Sequence, residues 1–402
     1  MTGRGLRGEA AIVGYAEWPA ERRYDGERQF TLEQWSDLAA QALADAGLEP
    51  DRMDGLVCSD IREASMFVPA TVAEYLGRPV NFAERIDLGG ATAVGMVWRA
   101  AAAIELGICD VVVCALPSRP IPSNPDKGPP DPRKWLGSSS GDWGSPQAEF
   151  ELPYGNVAQN AGYAMIARRY AEIFGYDPRA LARISADQRT NACANPAAAF
   201  HGQPISIDDV LDSPMIADPL RRLEIVMPCA GGAAVVLASA ETAARCRHRP
   251  VQVTGFGEHL TIKTPTYAED MTTTPVAAAA RGAFAMAGRT PAEMDAVQIY
   301  DCYTITVLLS LEDAGFCAKG QGCDFLREHD LTHAGDFPLN TGGGQLSFGQ
   351  AGLAGGMVQV VEGARQAMGR GEQRQVKDCE RVFVTGTGGV MSEQSALVLE
   401  GS

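Results

Sequence analysis

Paired cysteines are missing. The ten cysteines, at 58, 109, 114, 193, 229, 246, 302, 317, 323 and 379, are scattered, with no Cys-x-x-Cys spacing among them. That excludes a compact zinc or redox motif and argues against a disulfide framework. Several lie in apolar runs, as in Ile108-Cys109-Asp110-Val111-Val112-Val113-Cys114, so buried reduced thiols in a cytoplasmic protein are expected. Positive charge is also scarce. Lys and Arg number 34 against 50 Asp and Glu, a net charge of −16, which disfavours nucleic acid and anionic membrane surfaces as partners. No apolar run reaches the roughly 18 residues of a spanning helix, so no membrane association is expected. Met1-Thr2-Gly3-Arg4-Gly5 lacks the apolar core of a signal peptide. Histidine is rare at five residues, and His329 and His333, though four apart, fall in a loop-like stretch; no metal site is expected.

What remains is globular: 46% hydrophobic and 21% charged over 402 residues, too long for one small core. Two domains or one duplicated α/β body are the expectations. The most unusual stretch is Leu339-Asn340-Thr341-Gly342-Gly343-Gly344-Gln345-Leu346-Ser347-Phe348-Gly349-Gln350-Ala351-Gly352-Leu353-Ala354-Gly355-Gly356, glycine-dense and uncharged. Glycine at that density permits positive φ and close backbone approach. Met357 to Gln366 reads as a helix, whose N-terminal N–H groups are expected to face a ligand. Gly3-Arg4-Gly5-Leu6-Arg7-Gly8 spells a dinucleotide fingerprint, but it precedes the first strand instead of following one and is rejected.

In chain order, Ala10 to Gly14 reads as a strand, Thr31 to Gly47 as a helix ended by glycine, and Asp54 to Cys58 as a strand. Ile86 to Thr92 reads as a strand entering a glycine turn. Ala93 to Leu106 is a buried helix and Asp110 to Leu116 a strand. Pro117 to Pro153 is a proline-rich loop holding the Gly137-Ser138-Ser139-Ser140-Gly141 run, long enough to suggest a functional insertion. Gly155 to Gly175 and Pro178 to Asn195 read as helices, Ile205 to Asp218 carries a short helix, and Gly231 to Leu237 returns to strand.

The second half repeats the first. A shift of 241 residues carries Gly14 onto Gly255, Glu17 onto Glu258, Ala46-Gly47 onto Ala287-Gly288, Pro50 onto Pro291, Met53-Asp54 onto Met294-Asp295 and Asp60 onto Asp301, without a gap. Alanine-rich sequence would match alanines by chance, but not Gly, Glu, Pro, Met and Asp together. An internally duplicated β–α–β unit is expected, with a site between related halves.

Duplicated halves, a long insertion in the first, and the glycine strand-turn Val382-Phe383-Val384-Thr385-Gly386-Thr387-Gly388-Gly389-Val390 together resemble the thiolase superfamily over nearly the whole chain. The phrases Phe150-Glu151-Leu152-Pro153-Tyr154-Gly155, Asp209-Val210-Leu211-Asp212-Ser213-Pro214-Met215-Ile216, Phe284-Ala285-Met286-Ala287-Gly288 and Ile299-Tyr300-Asp301-Cys302-Tyr303-Thr304-Ile305-Thr306 are similar to the sterol-carrier-protein-type branch, whose members are often called lipid-transfer proteins. The implied fold is a duplicated α/β thiolase-like body. Residues 1–116 with 220–245 form the first half, 117–219 an inserted loop domain, and 246–402 the second half.

The departures from the thiolase pattern bear on chemistry. The nucleophilic cysteine's place falls on Gly90, in Gly89-Gly90-Ala91-Thr92. The His-Pro pair is Gln350-Ala351, and the C-terminal Cys-x-Gly is Thr385-Gly386-Thr387. Glycine cannot form an acyl-enzyme. The resemblance therefore narrows to a Cys-less, aldolase-like subset: a lyase doing aldol or retro-aldol chemistry on an acyl-CoA thioester, with a steroid-like or other bulky side chain. In that subset a tyrosine of the Tyr-Asp element is the implied base, here Tyr300, with Tyr303 as its substitute. The subset's second tyrosine falls on Phe348, which has no proton to give. Gln350 is a candidate donor, Gly386, Gly388 and Gly389 a candidate oxyanion turn with Gly90, and His259 a candidate acid or base. Cys302 and Cys229 are alternative nucleophiles for an acyltransferase. A non-catalytic scaffold that binds acyl chains is the other alternative. CoA is expected only as part of the substrate, with no separate cofactor. The resemblance implies a homodimer and a small accessory protein with an OB-fold and zinc ribbon.

Overall fold

The structure is a computed structural model that describes residues 6, 8–123, 143–156, 159–263 and 265–401. The Gly137–Gly141 run and most of the Gly3–Gly8 spelling lie outside them. Eleven strands are described: β1 (Ala10–Glu21), β2 (Gly55–Cys58), β3 (Phe82–Arg85), β4 (Val111–Ser118), β5 (Met215–Ala217), β6 (Leu220–Arg221), β7 (Ala230–Ser239), β8 (Val251–Leu260), β9 (Ala296–Gln298), β10 (Arg381–Gly388) and β11 (Glu393–Gly401). β5 and β6 form a small hairpin. The others form one sheet in the order β3-β2-β4-β7-β1-β8-β11-β10-β9. Read from its centre, this order is one pattern twice: β1-β7-β4-β2 on one side and β8-β11-β10-β9 on the other.

The two copies meet where β1 runs antiparallel to β8, with Ala11 paired to Gln252. Those two residues are related by the same 241-residue shift, so a pseudo-two-fold axis passes through that pair. The helices follow: α1 (Thr31–Ala46) and α6 (Val276–Ala287) occupy equivalent places, and both stop at a left-handed glycine, Gly47 at φ 78° and Gly288 at φ 65°. Between the sheet halves lie α3 (Thr92–Glu105) and α8 (Ala354–Ala367). One apolar cluster joins Ala93, Val97 and Ala100 of α3 and Met357, Val360 and Val361 of α8 to Val112 and Val235 on one side and Val384 and Leu397 on the other. α1 covers the outer face of the first half, and α6 with α7 (Thr304–Asp313) covers that of the second. The result is five layers, α-β-α-β-α.

Two ion pairs, one buried and one half-buried, tie each half to the other's central helix. Glu17 of β1 accepts from Arg365 of α8 at 2.8 Å, and Glu258 of β8 accepts both Nη atoms of Arg99 of α3 at 2.9 and 3.0 Å. Glu17 and Glu258 are repeat equivalents, so the duplication reproduced the contact reciprocally. A charge that deep persists only with such bidentate or multiple partners.

Several elements differ from expectation. β1 continues past Gly14 to Glu21, because Glu17 has its partner inside the protein. The strand expected at Ile86–Thr92 instead ends at Arg85, and residues 86–91 form the turn before α3. The segment inserted into the first half carries α4 (Gln159–Phe174) and α5 (Pro178–Cys193). Tyr163, Tyr170, Leu181 and Ile184 pack with Ile305 and Leu308, so these helices lean on the second half's core.

Candidate active site

β9 ends at Gln298, and the next residues turn inward toward α3 and α8. Asn340, at a left-handed φ of 49°, clamps the strand end: its Oδ1 accepts from Ile299 N at 2.8 Å and its Nδ2 donates to Ile299 O at 2.9 Å. Tyr300 N donates to Thr385 Oγ1 at 3.1 Å. These bonds aim the Tyr300 ring at the Leu88–Ala91 turn.

That turn rests directly on β10. A methyl group built on Gly388 would lie 2.0 Å from Leu88 O, and one on Gly386 2.8 Å from Ala91 Cα. Only glycine lets the two backbones meet. One built on Gly90 would lie 2.2 Å from both Tyr300 Oη and Thr387 O. The phenol hydroxyl therefore fills the space in which a side chain at position 90 would stand. Gln350 Nε2 donates to the same hydroxyl at 3.2 Å. The fold thus gathers Gly90, Tyr300, Gln350, Gly386 and Gly388 in one place. Gly90 and Gln350 are half-buried, which leaves an approach from solvent.

Burial pushes the Tyr300 phenol well above its ordinary value, with the neighbouring Cys302 thiol adding to the shift and Gln350 opposing it. A tyrosine that acts as a free base needs the opposite shift. The hydroxyl is neutral and holds its proton, with no acceptor for it among the described residues.

Tyr303 points elsewhere. Its Oη donates to Asn160 Oδ1 at 2.5 Å, and its ring stacks on Tyr163 at 4.0 Å. Tyr163, which sequence reasoning missed, donates through Oη to Gly389 O at 3.2 Å. That bond ties α4 to the glycine turn and sets Gly389 beside the tyrosine pair. Burial raises both phenols. Cys302 lies beneath them. Its Sγ donates to Tyr163 Oη at 3.3 Å and burial lifts the thiol to about 11, so it is no displaced nucleophile. Burial also raises Cys229.

His259 is not part of this group. It is exposed near the end of β8, paired in register with Gln394. Its neighbours Glu258, facing Arg99, and Gly257, against Ala279 of α6, place it on the α6 face of the sheet. Phe348 is 2% exposed within the central apolar cluster, a packing residue of the glycine loop. His329 and His333 bind Asp336 and Asn191, and no cluster that could hold a metal occurs among the described residues.

The glycine stretch is itself a built element. Gly344–Phe348 forms a five-residue π-turn. The Asp301 carboxylate, fully buried, anchors it: Oδ1 accepts from Gln345 N at 2.8 Å and Gln359 Nε2 at 2.6 Å, and Oδ2 from Leu346 N at 3.0 Å. Gly344 must be glycine, with φ at 56° and a methyl position 2.3 Å from Asp301 Oδ2. Burial raises Asp301 to about 7 against these neutral donors. α8 then begins at Ala354, before the expected Met357. The N–H groups of Ala354, Gly355 and Gly356 bond back to Ala351, Gly352 and Leu353, so the ligand-facing amides expected at this helix start are already used.

With this geometry, the comparisons with known proteins agree. Residues 257–401 match the family model described as Thiolase C-terminal domain-like. The chain is 33% identical over 401 residues to the 17-hydroxy-3-oxo-4-pregnene-20-carboxyl-CoA lyase of Mycobacterium tuberculosis, covering 98% of this chain and all of that one. It is 33% identical over 406 residues to the steroid side-chain-cleaving aldolase of Thermomonospora curvata, covering 98% of each. The solved Ltp2-ChsH2(DUF35) aldolase matches with a TM-score of 0.85 at 31% identity, covering 98% of each chain. A glycine at position 90, a phenol hydroxyl filling the space where its side chain would stand, and full-length identity to lyases and aldolases fit together: this chain belongs to the sterol-carrier-protein-type branch of the thiolase superfamily, as one of its aldolases.

Proposed function

We propose that the protein cleaves a β-hydroxyacyl-CoA with a bulky, steroid-like β-carbon by retro-aldol reaction, and that Tyr300 moves the proton. The observation that carries this is the position of Tyr300 Oη, beside Gly90 and bonded to Gln350. The hydroxyl proton of the substrate passes to Tyr300 Oη while the Cα–Cβ bond breaks and the ketone forms. The bonding electrons pass to Cα and the thioester oxygen as an enolate. As that charge develops, Tyr300's own proton passes to Cα in the same concerted movement, so the phenol oxygen never holds two protons. A relay of this kind never charges the phenol, so it suits a group whose ionisation is suppressed by burial. Gln350 holds the phenol oxygen in place. Phe348, where the resembling subset has its second tyrosine, leaves both halves of the transfer to Tyr300. The test is mass-spectrometric assay of a β-hydroxyacyl-CoA panel, from short branched chains to steroid-bearing ones. Ketone and a shortened acyl-CoA are expected in equal amounts, with turnover rising with the bulk at the β-carbon. Inactivity across the panel would move the scaffold reading ahead.

The partner reading rests on the Ltp2-ChsH2(DUF35) aldolase, in which that neighbour is paired with a DUF35 protein. A small accessory protein of that kind is the expected companion here. Homodimer formation is proposed through β3, an edge strand bonded only to β2 and exposed at Ala83 and Arg85; the opposite edge, β9, is covered at Val297 by Leu339. Light scattering should give twice the chain mass, and Ala83→Pro should lower it toward one. A wild-type monomer at micromolar concentration would end this reading. The ten free cysteines support a reducing, cytoplasmic setting, and no described helix is long and apolar enough to cross a membrane.

A further inference from the structure

Gln345 sits in the π-turn, 1% exposed, and among the described residues neither its Nε2 nor its Oε1 has a well-formed hydrogen-bond partner. An unpartnered buried amide costs free energy, and folded proteins leave few of them without a use. The backbone around it is rigid. Gln345 N and Leu346 N are held by the two Asp301 oxygens, and Gln359 reinforces one of them. The side chain is thus mounted on a fixed Cα with its polar end unused.

Its direction is set by Gly355. A methyl group there would lie 2.3 Å from Gln345 Oε1 and 3.3 Å from Gln350 Cγ. The two glutamine side chains therefore meet across a glycine that leaves them room. The next glycine, Gly356, faces Gly90 O at 2.7 Å and Tyr300 Cε2 at 3.6 Å, measured from the same methyl position. The Gln345 amide also faces the Tyr300 phenol and, with Gln350, opposes the upward shift that burial imposes on it, at a separation beyond a well-formed hydrogen bond. The unused amide hence opens on the same small space as Gly90, Tyr300 and Gln350.

We propose that Gln345 is a further catalytic residue, whose Nε2–H donates to the thioester carbonyl oxygen and holds the enolate oxygen that forms as the Cα–Cβ bond breaks. This rests on the retro-aldol reading. The assignment divides the work between two glutamines. Gln350 spends its amide on the phenol, and Gln345 keeps its own for the substrate. A neutral donor held in place where charge develops needs no reorganisation during the reaction.

The test uses the full chain with whatever accessory protein copurifies, and the variants Gln345→Leu and Gln345→Met. Three quantities are measured: kcat and KM for cleavage, exchange of the α-hydrogens of acetyl-CoA and propionyl-CoA in D2O by NMR, and Tm. Exchange reports enolate formation without bond cleavage, with solvent in place of the substrate hydroxyl. The expected result is a loss in kcat of roughly 10²–10³-fold with KM little changed. Exchange should fall in parallel, and Tm should be equal or higher, because an unpaired amide has been replaced by an apolar group. Variants that keep wild-type cleavage and exchange overturn the proposal. So does activity lost only in proportion to a fall in Tm for both variants, which would make Gln345 structural. A wild type that exchanges but does not cleave retires the retro-aldol reading, and the exchange arm still decides for or against Gln345. A wild type that does neither overturns both.

Discussion

The two halves carry the same strand end and use it in opposite ways. In the first, β2 runs into Ser59 and Asp60; in the second, β9 runs into Tyr300 and Asp301, their repeat equivalents. Asp60 is exposed and pairs with Arg85 at the sheet edge. Asp301 is fully buried, meets no cation among the described residues, and binds the backbone of a π-turn. Ser59 is buried without a hydrogen-bond partner, whereas Tyr300 reaches across to Gly90 and Gln350. The duplicated framework supplied two equivalent places. The glycine stretch of the second half surrounds only one of them, and it is there that the proposed chemistry is placed.

The contrast predicts its largest effect at the tyrosine. Tyr300→Phe removes one oxygen and keeps the ring, so turnover should fall by roughly 10²–10⁴-fold with KM and Tm almost unchanged. Ser59→Ala, at the equivalent position, should leave steady-state kinetics as they are. Equal turnover in wild type and Tyr300→Phe would remove the tyrosine from the mechanism.

A smaller effect is expected at the space the phenol fills. Gly90→Ala places a methyl group against Tyr300 Oη and Thr387 O, each 2.2 Å away. Displacing the phenol should lower kcat on the order of 10²-fold, and the overpacking should cost roughly 1–3 kcal/mol. The double variant Gly90→Ala with Tyr300→Phe should unfold at a higher temperature than Gly90→Ala alone, since the missing hydroxyl relieves one clash. Strictly additive losses in a denaturation cycle would mean the two groups do not touch.

The smallest effects concern the aspartates. Asp301→Asn puts an amide where two backbone N–H groups need an acceptor, a loss of roughly 1–3 kcal/mol. Asp60→Asn breaks an exposed pair and should cost less than about 1 kcal/mol. The two also differ in pH dependence. Asp301 holds its proton more tightly folded, near 7, than its ordinary 3.8. Across that window the native state binds more protons than the unfolded one, so this group's contribution to stability falls as pH rises. Wild type should therefore gain stability relative to Asp301→Asn as pH drops from 7 to 5, followed by urea titration. Glu362 acts with the other sign and in a lower window. Burial opposes its charge, but Arg365 and Arg374 outweigh that and hold it near 2, so its contribution is lost only as pH falls below its ordinary 4.5. A gap between wild type and Asp301→Asn that stays constant from pH 7 to 5 would show that Asp301 is not raised.

Much of this architecture is legible in the residues. The 241-residue repeat predicted the equivalence of β1 with β8 and of α1 with α6, down to the left-handed glycines that end both helices. It is readable because each glycine, proline and buried small residue answers to local backbone geometry. Other features were out of reach. Glu17 and Glu258 are legible as repeat equivalents, but their partners Arg365 and Arg99 arrive from the opposite half and no local pattern announces them. The turn that follows β3 was read as strand because Ile86 and Leu88 are apolar, and they are buried by the sheet's central helices instead. Tyr163 lies in an insertion whose docking no periodicity reveals. Gln345 carried one faint signal, a large polar residue inside a glycine-rich, uncharged run.

By itself the sequence determined the duplication and the α/β layering of each half, since these follow from repeat spacing and apolar pattern. Where the two tyrosines point was decided only in three dimensions. Tyr300 and Tyr303 are three residues apart and chemically alike, yet Asn340 and Thr385 turn the first toward Gly90, while Asn160 and Tyr163 draw the second aside. The direction of the phenol's ionisation was decided there too, because desolvation belongs to the packed site and not to the residue.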